Sequence, residues 1–459
     1  MSTVPTPKAH RQAHIVQLVD DQERIFVDRQ PRSGELAKRA VGSLAGGATS
    51  SWMIARPQTV WLSHGSGSKI YDVDGNEYVD LHGGYGVGLI GHDHPALVRA
   101  VSEQVTRGTH FAQPTEAAIV VAEELSRRFD QPLWRFTNSG TEATLDAFHL
   151  MRAATERDIV IKIEGCYHGH HDSAMVSVLN EGDEIGPRER PLSPPAGSGL
   201  PAAITELTRI AHFNDLESVE RILQEFPGQV AGAILEPIMM NAGIIAPEEG
   251  FLAGLKELLH SHGALLSFDE VKTGLTIGPG GATRLFGITP DIVCLAKALG
   301  GGVPCGAIGG TQEVMGLIVE GEYEQVGTFN GNPLTMATTK AVLTEILDDE
   351  AYRRIDDLRE HMVTGVEEAI AEYDLEAYPI AFGAKGCVTF APERTRNFRD
   401  FLETHDDYSH LHWLFQHNGG VFMPPWGKSE QWTLSVQHTT DDAQRFVDNF
   451  RTFARTVAG

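Results

Sequence analysis

Ala264-Leu265-Leu266-Ser267-Phe268-Asp269-Glu270 is a short, nearly continuous apolar run that stops at two acids. Three other runs end in the same manner. Ile159 to Ile163 leads into Glu164-Gly165-Cys166-Tyr167-His168-Gly169, Val230 to Leu235 into Glu236-Pro237, and Ile292 to Leu295 into Ala296-Lys297. Continuous rather than alternating apolarity marks a strand whose sheet is covered on both faces. Helix-length sequence separates the runs, so residues from about 95 to 335 read as an α/β fold with a mostly parallel sheet and helices on both faces. Ligands in such sheets bind outside the carboxyl ends of the strands. One acid after one run is most simply a helix cap. An aromatic, two acids and a lysine at such ends read as a site.

Outward from this centre, Ile15, Leu18, Val19 and Phe26 give residues 9–28 a helical spacing. A Gly/Ser-rich stretch from Gly42 to Ser51 follows, and then Asp74-Gly75 between two apolar-alternating runs, a hairpin signal. Pro187 to Pro201 holds too many Pro and Gly residues for a regular element and reads as a long surface loop, the kind that often serves as a lid. Beyond residue 336, strands are expected near Gly386 to Phe390 and Trp432 to Val436. A helix opens at Thr440-Asp441-Asp442 with Phe446, Val447, Phe450 and Phe453 on one face. The expected organisation is an N-terminal segment over 1–75, a large α/β domain over 76–335 and a small α+β domain over 336–459.

The 459 residues are 41% hydrophobic and 22% charged, a globular balance that excludes collagen, coiled coil and disorder. No stretch approaches the ~20 apolar residues of a membrane span, and the first residues show no signal-peptide core. With 37 basic and 62 acidic residues the net charge is −25, which repels nucleic acid and anionic lipid alike. The four cysteines form no CxxC pair, which argues against a disulfide framework or thiolate zinc. A cytoplasmic enzyme acting on small molecules is the expectation.

Lys297 follows an apolar run and precedes Gly300-Gly301-Gly302, beside very thin backbone. An amine held there loses hydration, which favours its neutral, nucleophilic form; a lone lysine would instead extend its ammonium into water. Asp269, at another strand end, tips the balance. An amine and a carboxylate converging on one pocket suit a pyridine-ring cofactor, the amine forming a Schiff base with its aldehyde and the acid keeping the ring nitrogen protonated. Asn138-Ser139-Gly140-Thr141-Glu142-Ala143 opens a helix with Ala143, Ala147, Leu150, Met151 and Ala154 on one face. Its free N–H groups, two hydroxyls and glycine form an anion site, compatible with an ordinary N-cap.

Other motifs are incomplete. Tyr167-His168-Gly169-His170-His171-Asp172 offers zinc-ligand types without the i,i+4 helical pair, and no metal is expected. His92 and His94 read as turn and capping residues. Gly300 to Gly306 lacks a GxGxxG opening a helix, Gly427-Lys428-Ser429 lacks the first glycine of a phosphate loop, and no serine is flanked by glycines two residues away on both sides.

Taken with Gly165-Cys166-Tyr167-His168-Gly169, Leu235-Glu236-Pro237, Phe268-Asp269-Glu270-Val271, Ala296-Lys297-Ala298-Leu299-Gly300-Gly301-Gly302 and Gly327-Thr328-Phe329-Asn330-Gly331-Asn332-Pro333, the segment Phe136 to Ala143 resembles the class III pyridoxal-phosphate aminotransferases. The blocks occur in that family's order over residues about 70 to 335 and are most similar to its glutamate-1-semialdehyde aminomutase and β-amino-acid transaminase subgroup. The resemblance implies a fold-type I enzyme with pyridoxal 5′-phosphate as cofactor and a small domain built from both chain ends. Lys297 would carry the Schiff base and Asp269 would pair with the ring nitrogen. Tyr167 and Val271 would face the ring from opposite sides, with His168 beside it. Ser139, Gly140 and Thr141 would hold the phosphate, and Glu236 and Asn241 would lie near ring substituents and substrate. Thr328 would reach the phosphate of a partner subunit in a homodimer with shared active sites.

The implied reaction moves an amino group from a small-molecule donor to an oxo acceptor. An aminomutase, a racemase or epimerase, and a non-catalytic binding protein are the alternatives. Relatives usually clamp a substrate carboxylate with an arginine near 47–54 or in the C-terminal stretch. Here Gly47-Ala48-Thr49-Ser50-Ser51-Trp52-Met53-Ile54 and Pro424-Pro425-Trp426-Gly427-Lys428-Ser429 contain none. Arg56 and Lys428 are the available substitutes, and Trp52 and Trp426 suit bulky apolar substrates.

Overall fold

Each of the four apolar runs is a strand. The computed structural model describes residues 7–425 and 427–459, with the side chains of 7–13 outside that description. In chain order the strands are β1 (Leu62–Ser66), β2 (Lys69–Asp72), β3 (Glu77–Asp80), β4 (Leu133–Thr137), β5 (Ile159–Ile163), β6 (Thr208–Ala211) and β7 (Val230–Leu235). They continue as β8 (Leu265–Asp269), β9 (Ile292–Leu295), β10 (Gly306–Gly310), β11 (Tyr378–Phe382), β12 (Lys385–Thr389), β13 (Val421–Phe422) and β14 (Trp432–Thr433). The central sheet has the order β4-β10-β9-β8-β7-β5-β6. Its β6, β5, β7, β8 and β9 pair in parallel, while β10 runs antiparallel to both of its neighbours.

Both faces of this sheet are buried, as continuous apolarity requires. On one face, Ala143, Ala147, Leu150 and Met151 of the helix Gly140–Thr155 pack with Val160, Ile234 and Ile308. On the other, helices Leu216–Glu225 and Phe251–Ser261 place Val219, Leu223, Leu255 and Leu259 against Ile161, Ala233 and Phe268. Side chains from adjacent strand positions point to opposite faces, so Val160 and Ile161 serve different layers.

The two chain ends meet beside the large sheet. β2 and β3 form the hairpin at Asp74-Gly75, where Gly75 takes φ 89°, and β3 pairs in parallel with β13 through Val79 and Val421. The helix Pro7–Asp28 buries Ile15 and Phe26. The final helix, Thr440–Ala458, buries Phe446, Val447, Phe450 and Phe453; its capping box uses Thr439 and Asp442, one residue earlier than the sequence suggests. The strand expected over Trp432 to Val436 stops at Thr433. Pro187 to Pro201 contains no helix or strand beyond one isolated bridge, between Val176 and Pro195. Among the described residues no helix is long and apolar enough to cross a membrane.

Candidate active site

Outside the carboxyl ends of the parallel strands lies a cavity of about 340 Å³ whose lining includes Tyr167, Glu236, Asp269 and Lys297. Four separate strands thus deliver their terminal side chains to one space. Ser139, Gly140, Thr141, His168, Asn241 and Val271 line it as well. Thr328 does not; it is exposed in the loop before helix Pro333–Ala341.

Lys297 follows β9 with φ 50°, a left-handed conformation that a non-glycine residue keeps only when its surroundings enforce it. Burial brings its amine down to about 8, with the nearby Lys272 ammonium pushing the same way and Asp269, Glu430 and Glu236 opposing. Asp269 is 4% exposed. Its Oδ1 accepts the Val271 N–H at 2.9 Å, and its Oδ2 accepts from His168 Nδ1 at 2.8 Å. A carboxylate is an acceptor only, so this contact puts the imidazole proton on Nδ1. His168 Nε2 is buried without a partner among the described residues.

Glu236 braces the loop that carries the aromatic wall: it accepts the Tyr167 N–H at 3.0 Å and the Met240 N–H at 2.7 Å. Burial, with Asp269 nearby, raises the Tyr167 phenol above its ordinary range. The Tyr167 ring meets Trp52 edge-on at 5.2 Å. At the other end of the cavity, Ser139 caps helix Gly140–Thr155 by accepting the Glu142 N–H. Intrahelical bonding begins with the Ala143 N–H on the Ser139 carbonyl, leaving the N–H groups of Gly140 and Thr141 for an anion. A Cβ on Gly140 would lie 2.9 Å from Val271 Cγ2, and one on Gly169 2.7 Å from Thr141 Cα. Glycine is therefore what lets these walls approach one another.

This cradle fits pyridoxal 5′-phosphate. It offers N–H donors for the phosphate, an amine for the aldehyde, a fixed buried carboxylate for the ring nitrogen and two walls, Val271 and Tyr167, for the ring faces. No group of His, Cys, Asp and Glu suited to a metal occurs among the described residues. His94 is the N-cap of helix Pro95–Val105, and His92 pairs with Asp80 at 2.7 Å.

A second cavity of about 510 Å³ shares Trp52, Tyr167 and Asn241 with the first. The carboxylate-binding substitutes suggested by sequence reach neither. Arg56 is exposed, and Lys428 donates to the carbonyls of Leu402 and Thr404. Trp426 lies outside the described residues. Two residues that the sequence reading did not single out stand at the junction instead: Lys272 lines the first cavity and Glu430 the second. The available signal was position, since Lys272 leaves the same strand end as Asp269.

Residues 53–408 match the family model described as aminotransferase class-III, a wider span than the sequence blocks alone cover. The glutamate-1-semialdehyde 2,1-aminomutase of Aquifex aeolicus is 33% identical over 427 residues, covering 92% of this chain and 98% of that one. Its counterpart from Methanopyrus kandleri is 36% identical over 432 residues, covering 93% and 97%. Among solved structures, an omega-transaminase from Sphaerobacter thermophilus superposes with a TM-score of 0.89 at 30% identity, covering 94% of this chain and all of its own. A glutamate-1-semialdehyde aminomutase variant from Pseudomonas aeruginosa PAO1 in complex with PMP gives 0.89 at 28% identity, covering 97% and 99%. The chain belongs to the class III aminotransferases, pyridoxal 5′-phosphate-dependent enzymes of fold type I.

Proposed function

We propose that the protein moves an amino group between an amino donor and an oxo acceptor, with Lys297 as both the anchor of the cofactor and the group that handles the substrate proton. The observation that carries this reading is the meeting of Lys297 and Asp269 in one cavity whose far end is a helix N-terminus. When bound, the cofactor supplies an aldehyde that condenses with amines and a ring that accepts the electron pair left at Cα.

The chain's own residues divide the remaining work. The Lys297 amine, lowered to about 8, has an appreciable neutral fraction near neutral pH; in that form it attacks a carbonyl and, once released, takes the Cα proton and returns it elsewhere. Asp269 keeps the ring nitrogen protonated, and His168 and the Val271 N–H hold it in place. Ser139, Gly140 and Thr141 take the phosphate. Tyr167 and Val271 enclose the ring, and Glu236 and Asn241 face its substituents and the substrate. Thr328 serves the phosphate of a second copy; the exposure of its neighbours Val326 (80%) and Phe329 (58%) supports a homodimeric surface there. Four free, buried cysteines accord with a reducing cytoplasm.

The test is a yellow purified protein whose colour bleaches with an amino donor and returns with pyruvate or 2-oxoglutarate. A colourless protein, or one indifferent to every donor, would refute the reading. The aminomutase relatives favour a second reading, intramolecular transfer, and activity on the semialdehyde as lone substrate would select it.

A further inference from the structure

Lys297 is not the only amine at this spot. Lys272, 6% exposed, directs its ammonium to the Met240 carbonyl at 3.1 Å and to both Glu430 oxygens at 3.1 and 2.9 Å. Lys385, on β12, is fully buried and donates to Thr433 Oγ1 at 2.9 Å. A Cβ on Gly86 would lie 3.5 Å from Lys385 Nζ and 3.7 Å from Lys297 Cδ, so these two side chains meet across a glycine. Lys385 also lies in the field of Lys272 and Glu430, and burial followed by Lys272 brings it down to about 7.

The charges do not balance. Glu430 already gives both oxygens to Lys272, which leaves Lys385 a buried amine with no carboxylate of its own. Buried amines without counter-ions cost stability and are concentrated at functional sites. Among the described residues no arginine lines either cavity, and the Lys272–Glu430 pair stands where the two cavities join. Among the described Lys and Arg residues, Lys272 is thus the one cation besides Lys297 that lines the first cavity, and its partner Glu430 lines the second.

We propose that Lys272, backed by Lys385, is the receptor for the carboxylate of an amino-acid substrate, and that Glu430 holds that place until the substrate enters. The proposal rests on the aminotransfer reading above and narrows its substrates to amino acids over plain amines. As the substrate acid enters, Glu430 turns into the cavity it already lines. Two Lys272 donors are then free for the incoming oxygens, and the third remains on the Met240 carbonyl.

Calorimetric titration of the cofactor-loaded protein with 3-phenylpropanoate, an acid with no amine to transfer, tests this. The acid should bind about tenfold or more tightly than 3-phenylpropan-1-ol, the margin expected of a charge-assisted hydrogen bond. Lys272→Met should remove the margin and Glu430→Gln should widen it. Equal binding of acid and alcohol by the unaltered protein, or a margin that survives Lys272→Met, would overturn the proposal. Should Lys272→Met not fold, Glu430→Gln decides alone, and a margin that stays or narrows counts against it. Amino transfer is read separately, by bleaching with a donor, so the two readings fail independently.

Discussion

Lys297 combines a strained backbone, a desolvated amine and a fixed acid across the cavity. Its ordinary value of 10.5 falls to about 8, and only the neutral amine attacks an aldehyde. Cofactor-free protein should therefore capture pyridoxal 5′-phosphate at a rate that climbs through pH about 8 and levels above it, followed by the growth of visible absorbance. A midpoint near that of solvated lysine would show that the amine is not desolvated. Lys297→Ala should develop no such absorbance and should lose turnover, while unfolding at a comparable urea concentration. Lys297 and Asp269 were legible in the sequence because each ends, or directly follows, a strand of its own, a local signal. The Lys272–Glu430 pair was not. Its partners lie 158 positions apart, one in the middle of the chain and one near its C-terminal end, and only tertiary folding brings them together.

The strands repeat this division between local and distant signals. β5, β7, β8 and β9 announce themselves by continuous apolarity, but Gly306-Ala307-Ile308-Gly309-Gly310 does not read as a strand. It forms β10 because the packing needs glycine there: a Cβ on Gly309 would lie 2.8 Å from the Trp134 ring across the strand pair. A similar closeness shapes the phosphate end. Gly140→Ala would press its Cβ on Val271 and drive that side chain into the cavity, so cofactor affinity should fall about tenfold in an absorbance titration while the urea midpoint moves little. Arg399 offers the opposite case. On helix Phe398–Leu402 it grips Glu164, just beyond β5, with two bonds of 2.9 and 3.0 Å, and its other donors hold the carbonyls of Ile185 and Gly186. Arg399→Met would leave Glu164, 1% exposed, with His212 as its remaining ion-pair partner. A loss of about 3–5 kcal/mol is expected from urea denaturation. A change below about 1 kcal/mol would mean that His212 alone satisfies the acid.

At the scale of the molecule, the buried amines set how stability responds to alkali. Burial lowers Lys162 and Lys297 to about 8 and Lys385 to about 7, against 10.5 in the unfolded chain. Between those values the unfolded state binds more protons than the folded one, so stability rises with pH from about 7 onward. The buried thiols act in reverse. Cys387 is raised to about 11 and Cys305 to about 12, and burial raises Cys166 and Cys294 well above 9.0 too. Above pH 9 the unfolded chain therefore sheds four thiol protons that the folded chain keeps, more than the three amine protons it still holds, and stability falls. Urea midpoints of the cofactor-free, reduced protein should therefore climb from pH 7 to about 9 and then decline. The measurement belongs in about 0.2 M salt, where screening limits the repulsion of a chain carrying −25 charges. Lys162→Met, whose amine otherwise donates to the Ser177 carbonyl, should flatten the ascending limb and steepen the descending one, because that amine stays protonated in the unfolded chain up to about 10.5. A limb that falls from pH 7 to 9 in the unaltered protein would mean that these lysines are solvated, and the desolvated amine on which the chemistry of Lys297 depends would be lost with it.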